Sequence, residues 1–470
     1  MRWSPEELAT DAGGKLLRAG SEPIEGAFID SRSPRPGALF VPIVAARDGH
    51  DFIGHAVEGG ASAVLIGPGR DLPAGACTVV QVDDTLEGLT ALARAARARR
   101  KEAGIPAVAI TGSNGKTTTR AMVEAVLASS YERVLSTRGN FNNHLGVPLS
   151  LLDAPHEPHA EVLELGMSAP GENAHLASVV QPQIGIVTSV ALEHLEFMGS
   201  IEAIAKAEAE LMAYIDGDGA LIIPSDEALL EAEIPAEYAP RVWRVGPDGH
   251  ADVQIESVRV GERTRCRIRL PDHQRLEVAL ATFGAHNARN AASALAVGLH
   301  LGLDPLRMRE ALESVVPVGD RGRLRNLGHH LLIADCYNAN PGSMEVALSS
   351  LAALRDERPG PLVAVLGDML ELGPTGPQLH ADVGRRAAEL GVDAVLAFGP
   401  ASQLTAEGAS EGGVRHVEWI ADPGDEQAVA RARDWVRERL GDDAAGAALF
   451  KASRGMRLER VVDALDPASA

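Results

Sequence analysis

The stretch AVAITGSNGKTTTRAMVEAVL, residues 107–127, decides the fold. An apolar run, Ala107–Ile110, feeds a turn containing Gly112 and Gly115, and a helical pattern opens at Lys116. A buried-type strand passing through a glycine turn into a helix is the context of a phosphate-binding loop. Each residue type has a task there. Glycines let backbone N–H groups, with Ser113 and Asn114 between them, close on phosphate oxygens, and the helix N-terminus adds partial positive charge. Lys116 neutralises β/γ oxygens, and Thr117, followed by Thr118, offers a hydroxyl to Mg²⁺. The longer G-x-x-x-x-G-K-[ST] form would need its first glycine at Ile110, so the loop is the shorter G-x-x-G-K-T form. The motif implies ATP or GTP binding and leaves the reaction open.

Outward from this loop, short apolar runs (AEVLEL, IGIVTSV, GALIIP) alternate with helical patterns such as IEAIAKAEAELMAYI, which predicts a parallel sheet flanked by helices. An Arg/Ala-rich helical stretch, LEGLTALARAARARRKEAG, ends just before Pro106 and marks a boundary. A second boundary falls near 317–322, after LDPLRMREALESVV. The alternation then resumes with PLVAVLGD, AVLAFG and ALFKAS. The chain of 470 residues, 45% hydrophobic, is too long for one core. The expected organisation is α/β with three domains at 1–102, 103–319 and 320–470, the first mixing short strands such as GALFVPIV and SAVLIG.

A formal net charge of −21 opposes nonspecific adhesion to nucleic acid or anionic membrane, so an anionic substrate must be held by a local site. Cys77, Cys266 and Cys336 are far apart and show neither disulfide-framework nor zinc spacing. The N-terminus lacks a secretory core, and no window approaches the ~18 apolar residues of a membrane span. A cytoplasmic protein, monomeric by default, is expected.

Separated blocks extend the motif along nearly the whole chain: TRGNFNNHLGVPLSLL at 137–152, LELGMSAPGE at 163–172, TSVALEHLEFMGSIEAIAKAE at 188–208, FGAHNARNAASAL at 283–295, ADCYNANPGSMEVAL at 334–348, VLGDMLELG at 365–373 and LFKASRGMRLERVV at 449–462. Their order and spacing resemble the Mur ligases, and YNANPGSM and GDMLELG resemble the D-alanyl-D-alanine-adding branch. The resemblance implies an N-terminal domain for a UDP-sugar peptide, a central P-loop ATPase built on a parallel sheet, and a C-terminal Rossmann-like domain that closes over the nucleotide. It also implies the substrates: ATP with Mg²⁺, UDP-N-acetylmuramoyl-tripeptide and D-alanyl-D-alanine.

The resemblance carries roles onto particular residues. Glu164 ends the run AEVLEL, where open α/β sheets present ligand groups, and is expected on Mg²⁺ with Thr117. His194, after the next apolar run, is carried over as a further metal-site residue. Several Mur ligases have a carbamylated lysine on the following helix where this chain has Glu208, so a permanent carboxylate is expected to do that work, while Lys206 points about 200° around the helix. Lys116, Glu164, His194 and Glu208 form the expected catalytic set. Asn287 and Asn290 resemble adenine-facing asparagines, or else cap the helix they open. Arg323 resembles the arginine that reaches phosphate and Asp335 the ribose-binding carboxylate. Thr137, Asn140, Asn142 and Asn143 are expected beside the phosphates and the tripeptide, Asn338 and Asn340 near the incoming nucleophile, and Ser31 and Arg32 at the UDP end. A carboxylate condenses with an amine only once its oxygen is a good leaving group, so transfer of the γ-phosphoryl to the tripeptide carboxyl is implied. A sister ligase of the superfamily, such as a folylpolyglutamate synthase, or a non-catalytic ATP-binding scaffold are the competing readings.

Overall fold

The strand Ala107–Thr111 is wholly buried and runs parallel to Ala160–Glu164 on one side and Ile184–Val187 on the other. It is the centre of a nine-stranded sheet in a computed structural model describing residues 2–154, 157–193, 195–238 and 241–466. Beyond Ala160–Glu164 lies Val134–Ser136. On the other side follow Ala220–Pro224, Val242–Gly246 and Val253–Arg259, every neighbouring pair parallel. Two antiparallel strands, Thr264–Arg269 and Arg275–Leu280, complete the sheet. They add to the expected parallel sheet, and their alternating buried and exposed residues are the period-2 pattern of strands with one solvated face.

Helix Lys116–Ala128 buries Met122, Val123, Val126 and Leu127 against the sheet, at i, i+1, i+4 and i+5 on one face. Fully burying such side chains stabilises by about 1.5–3 kcal/mol each. A six-stranded sheet follows in the order Arg323–Leu327, His330–Asp335, Ala447–Lys451, Leu362–Gly367, Ala394–Phe398 and His416–Ile420; only its first pair is antiparallel. The N-terminal segment carries a five-stranded sheet, Lys15–Arg18, Thr78–Gln81, Ala63–Ile66, Leu39–Phe40 and Ala27–Phe28. Among the described residues no helix is long and apolar enough to cross a membrane.

The N-terminal segment owns one small apolar cluster, around Phe28, Phe40, Val64 and Ile66, and shares a larger one. Leu8, Leu39, Leu65 and Leu92 belong to one apolar cluster with Ala107, Leu163, Val180 and Leu211 of the central segment. The link is reinforced by buried charge. Helix Thr85–Glu102 sends Arg97 and Arg100 inward to Glu161, all three at most 2% exposed. Arg100 Nη1 lies 2.8 Å and Arg97 Nη1 3.2 Å from the carboxylate. Arg97 also donates to the carbonyls of Val180 and Ile105, and Arg100 to that of Leu151. Removing one member of a buried ionic group strands the others' charges and costs about 3–5 kcal/mol. Glu161→Gln is therefore expected to lower the unfolding free energy in urea by about 3 kcal/mol without changing the m-value.

Candidate active site

The phosphate loop is held by the ends of two neighbouring strands. The register pairs Val187 with Thr111, so Gly112 and Thr188 meet just beyond it. Thr188 Oγ1 donates to the Asn114 carbonyl at 2.6 Å, and Ser189 Oγ accepts from the Asn114 N–H at 2.9 Å. Gly112 has φ +119°, and a Cβ there would lie 2.2 Å from Thr188 Oγ1; at Gly115, φ +91°, it would lie 2.9 Å from Asn290 Oδ1. Only glycine meets both demands without strain. Gly115 is also the helix N-cap and has no side chain to spend on the first-turn N–H groups, which stay available to an anion. Lys116 Nζ rests on the Gly112 and Ser113 carbonyls, 3.8 Å from Glu193 Oε1.

Glu164 is 3% exposed at the end of the adjacent strand. Its Oε1 accepts from Thr117 Oγ1 (3.2 Å) and Asn142 Nδ2 (3.0 Å), its backbone N–H donates to Thr137 Oγ1, and Arg120 Nε stands 3.8 Å from Oε2. Glu208 is wholly buried beneath the loop, where its Oε2 accepts from Thr111 Oγ1 (2.5 Å) and Asn173 Nδ2 (3.0 Å). Burial pushes its carboxyl above the usual range, opposed by Lys116 and by hydrogen bonds from Thr111, Asn173 and the Gly112 backbone. Glu164 Oε2 and Glu208 Oε1 are buried with no hydrogen-bond partner. Such orphaned carboxylate oxygens are the donors that Mg²⁺ takes, so the residues present fit the ion. Among the described residues no three of His, Cys, Asp and Glu form a cluster that could hold a metal. His194 lies outside the described residues. Lys206 is exposed, while Glu208 on the same helix is buried.

A cleft of about 1440 Å³ runs from this loop to the C-terminal sheet. Ser113–Thr118, Glu164 and Asn290 line one wall, and Asn140, Asn142 and Asn143 line it as well. Asp335, Asn338 and Lys451 come from the C-terminal segment. Asp335 and Lys451 are register partners on adjacent strands, and Lys451 Nζ donates to Asp335 Oδ2 at 2.7 Å and to the Asn338 carbonyl at 3.0 Å.

Other residues expected at the site stand apart from these walls. Thr137 is buried behind Glu164, and Asn287 is buried with its Nδ2 on the Phe283 carbonyl and its Oδ1 accepting from Asn290. Asn287 opens helix Asn287–His300 without capping it; the N-cap is His286, with no side-chain cap bond. Asn340 is buried as the N-cap of Pro341–Ala352. Arg323 is exposed on its strand, whereas Arg321 lines the cleft with its guanidinium 3.7 Å over the Tyr337 ring. Ser31 is buried and Arg32 is exposed and paired with Asp30. Near them a smaller cavity of about 190 Å³, lined by Asp30, Arg35, Arg138 and Phe141, opens between the N-terminal and central segments.

Sequence reasoning passed over Glu193 and His286, both on the cleft wall. Burial raises the Glu193 carboxyl to about 7, with Glu208 adding to the rise and Lys116 opposing it. His286 is exposed towards the cleft. Both sit inside blocks already singled out, ALEHLEF and GAHNARN, but nothing in a single sequence announces that Glu193 is buried or that His286 faces the cleft.

Residues 110–298 match the Mur ligase middle domain and residues 322–443 the Mur ligase, glutamate ligase domain. The chain belongs to the Mur ligase family. Within it, the chain is 36% identical over 446 residues to the UDP-N-acetylmuramoyl-tripeptide–D-alanyl-D-alanine ligase of Bacillus subtilis (strain 168), covering 93% of this chain and 92% of that protein. MurF from Acinetobacter baumannii superposes with TM-score 0.86 at 28% identity over 99% of each chain. MurF from Thermotoga maritima in complex with ADP superposes with TM-score 0.80 at 27% identity, over 94% of this chain and 97% of that one.

One outcome follows from the geometry. Gly112→Ala, which drives a methyl into Thr188 at a φ disfavoured for L-residues, is expected to weaken nucleotide binding at least about 100-fold (about 2.7 kcal/mol) by calorimetric titration, with far-UV circular dichroism unchanged.

Proposed function

We propose that the chain joins D-alanyl-D-alanine to UDP-N-acetylmuramoyl-tripeptide at the expense of ATP, forming the pentapeptide precursor of peptidoglycan. One observation carries this reading: a phosphate loop and the buried carboxylate Glu164, with Glu208 beneath the loop, form one end of a cleft whose other wall is the C-terminal sheet, in a chain that follows ligases of that name along 93% of its length. The tripeptide carboxylate attacks the γ-phosphorus, ADP leaves, and an acyl phosphate forms. The amine of the dipeptide then attacks the acyl carbon, phosphate departs, and an amide remains. No step needs a covalent bond to the protein; the requirement is in-line positioning and neutralised charge.

The residues divide this work by place. The N–H groups of the phosphate loop, the open first turn after Gly115 and Lys116 receive the phosphates. Asp335 at the far strand end is suited to the ribose, and Asn290 to the base. Thr117, Glu164 and Glu208, with His194, would hold Mg²⁺, which supplies positive charge to the phosphate oxygens. Glu208 serves there unmodified, its carboxylate standing where several Mur ligases carry a carbamylated lysine. The UDP end of the sugar peptide fits the side of Ser31, Arg32 and the smaller cavity, and the 140–143 loop lies between that side and the phosphates. Closure about residues 317–322 would exclude water from the acyl phosphate, whose hydrolysis would waste ATP.

The test is phosphate release by purified protein with ATP, Mg²⁺ and UDP-N-acetylmuramoyl-tripeptide, with and without D-alanyl-D-alanine. Release that requires the dipeptide, with the pentapeptide detected by mass, is the expected result; release that requires a different acceptor moves the chain to a sister ligase. Glu208→Gln is expected to lower kcat at least about 100-fold at saturating Mg²⁺, and the parent's rate should not respond to added bicarbonate.

A further inference from the structure

We propose that Asn114 and Asn340 form a clasp between the phosphate loop and the C-terminal domain, and that Asn340 is a positioning residue for ligation, not a ligand of the substrate; this rests on the ligase reading above. The two asparagines are 226 residues apart and face each other amide to amide. Asn340 Nδ2 donates to Asn114 Oδ1 at 2.9 Å, and Asn114 Nδ2 donates to Asn340 Oδ1 at 3.3 Å. A primary amide has two N–H donors and two acceptor lone pairs. Asn340 Oδ1 spends its second lone pair on the Ser343 N–H at 2.8 Å, the N-cap bond of helix Pro341–Ala352. One N–H is left on a side chain only 4% exposed, which leaves little for a substrate to use.

One oxygen therefore fixes both the start of a C-terminal helix and the tip of the phosphate loop. Asn114 passes the constraint on, because its backbone is held by Thr188 and Ser189 just beyond the strand Ile184–Val187. Close approach is built in: a Cβ on Gly342 would lie 3.1 Å from Ala191 Cβ and 3.6 Å from Asn114 Nδ2. Elsewhere the same boundary carries the exposed pairs Arg259–Glu357 and Arg358–Glu262, of a kind that contributes little to holding two bodies in register. At the clasp the hydrogen bonds are partly buried and directional, and they lie on the reacting side of the cleft.

Phosphates meet the loop N–H groups and Lys116 whether or not the C-terminal domain is docked, so the clasp acts on the docked, reacting state. Its loss should appear in kcat and leave nucleotide affinity in place. Asn340→Ser keeps a capping oxygen for the Ser343 N–H and drops the donor to Asn114, and Asn114→Ala removes the other half. Each is expected to lower kcat about tenfold with the KM for ATP within about twofold, and the double variant to be no slower than the slower single. Multiplied losses in the double variant, or a raised KM with kcat intact, overturn the clasp. Asn340→Asp retains the cap and is expected to match Asn340→Ser, so a folding defect of the serine variant leaves the test standing. Should the parent prove inert with D-alanyl-D-alanine, the ligase reading fails by itself. Small-angle scattering with a non-hydrolysable ATP analogue then still decides: the parent should compact more than the variants, and equal compaction overturns the clasp.

Discussion

Everything at the site hangs on one close approach, that of the phosphate loop to the end of the strand Ile184–Val187. The parallel register sets Val187 beside Thr111, the chain turns at Gly112 because no side chain fits against Thr188, and Thr188 and Ser189 then tie down Asn114. With the loop so held, its N–H groups and Lys116 converge on one volume. The neighbouring strand ends at Glu164, and helix Ile201–Ala209 carries Glu208 beneath the turn, so topology delivers one carboxylate to that volume and a second to the underside of the loop. Ligands gather at the carboxyl ends of parallel strands for this reason: the connections diverge there and leave space between them.

The second wall obeys the same rule in the other sheet. Asp335 and Lys451 are partners in register at the ends of His330–Asp335 and Ala447–Lys451, which places a carboxylate and an ammonium at the cleft without any loop to position them. A cleft built from two sets of strand ends can change its width while each end keeps its internal geometry.

Much of this is legible in the residues. The run Ala107–Ile110 with Gly112, Gly115 and Lys116 specifies strand, turn and helix, because each residue type there has few alternatives. Glu164 is legible as the polar terminus of an apolar run. The antiparallel extension 264–280 was within reach through its alternation, yet its arginine-rich exposed face hides the apolar period. Contacts between distant segments are less accessible. The burial of Glu193, the facing of His286 and Arg321 into the cleft where Arg323 stays on its strand, and the pairing of Asn114 with Asn340 depend on how separate units pack, which local pattern does not encode. Asn340 illustrates the difficulty: as an N-cap it is readable from N-P-G-S, but a cap that also bonds a loop 226 residues away is not.

The buried arginines of the linker helix bear on how the chain is made. Arg97 and Arg100 leave the ribosome about 60 residues ahead of Glu161, and at about 5–20 residues per second the interval is roughly 3–12 s. Until Glu161 arrives, both guanidiniums must stay hydrated, so that end of the helix cannot settle into its final seat, and Leu92 and its apolar neighbours wait for Leu163 and Val180 to close over them. The first hundred residues are thus born with one cluster they can close alone, around Phe28, Phe40 and Ile66, and one that closes only when the central sheet emerges.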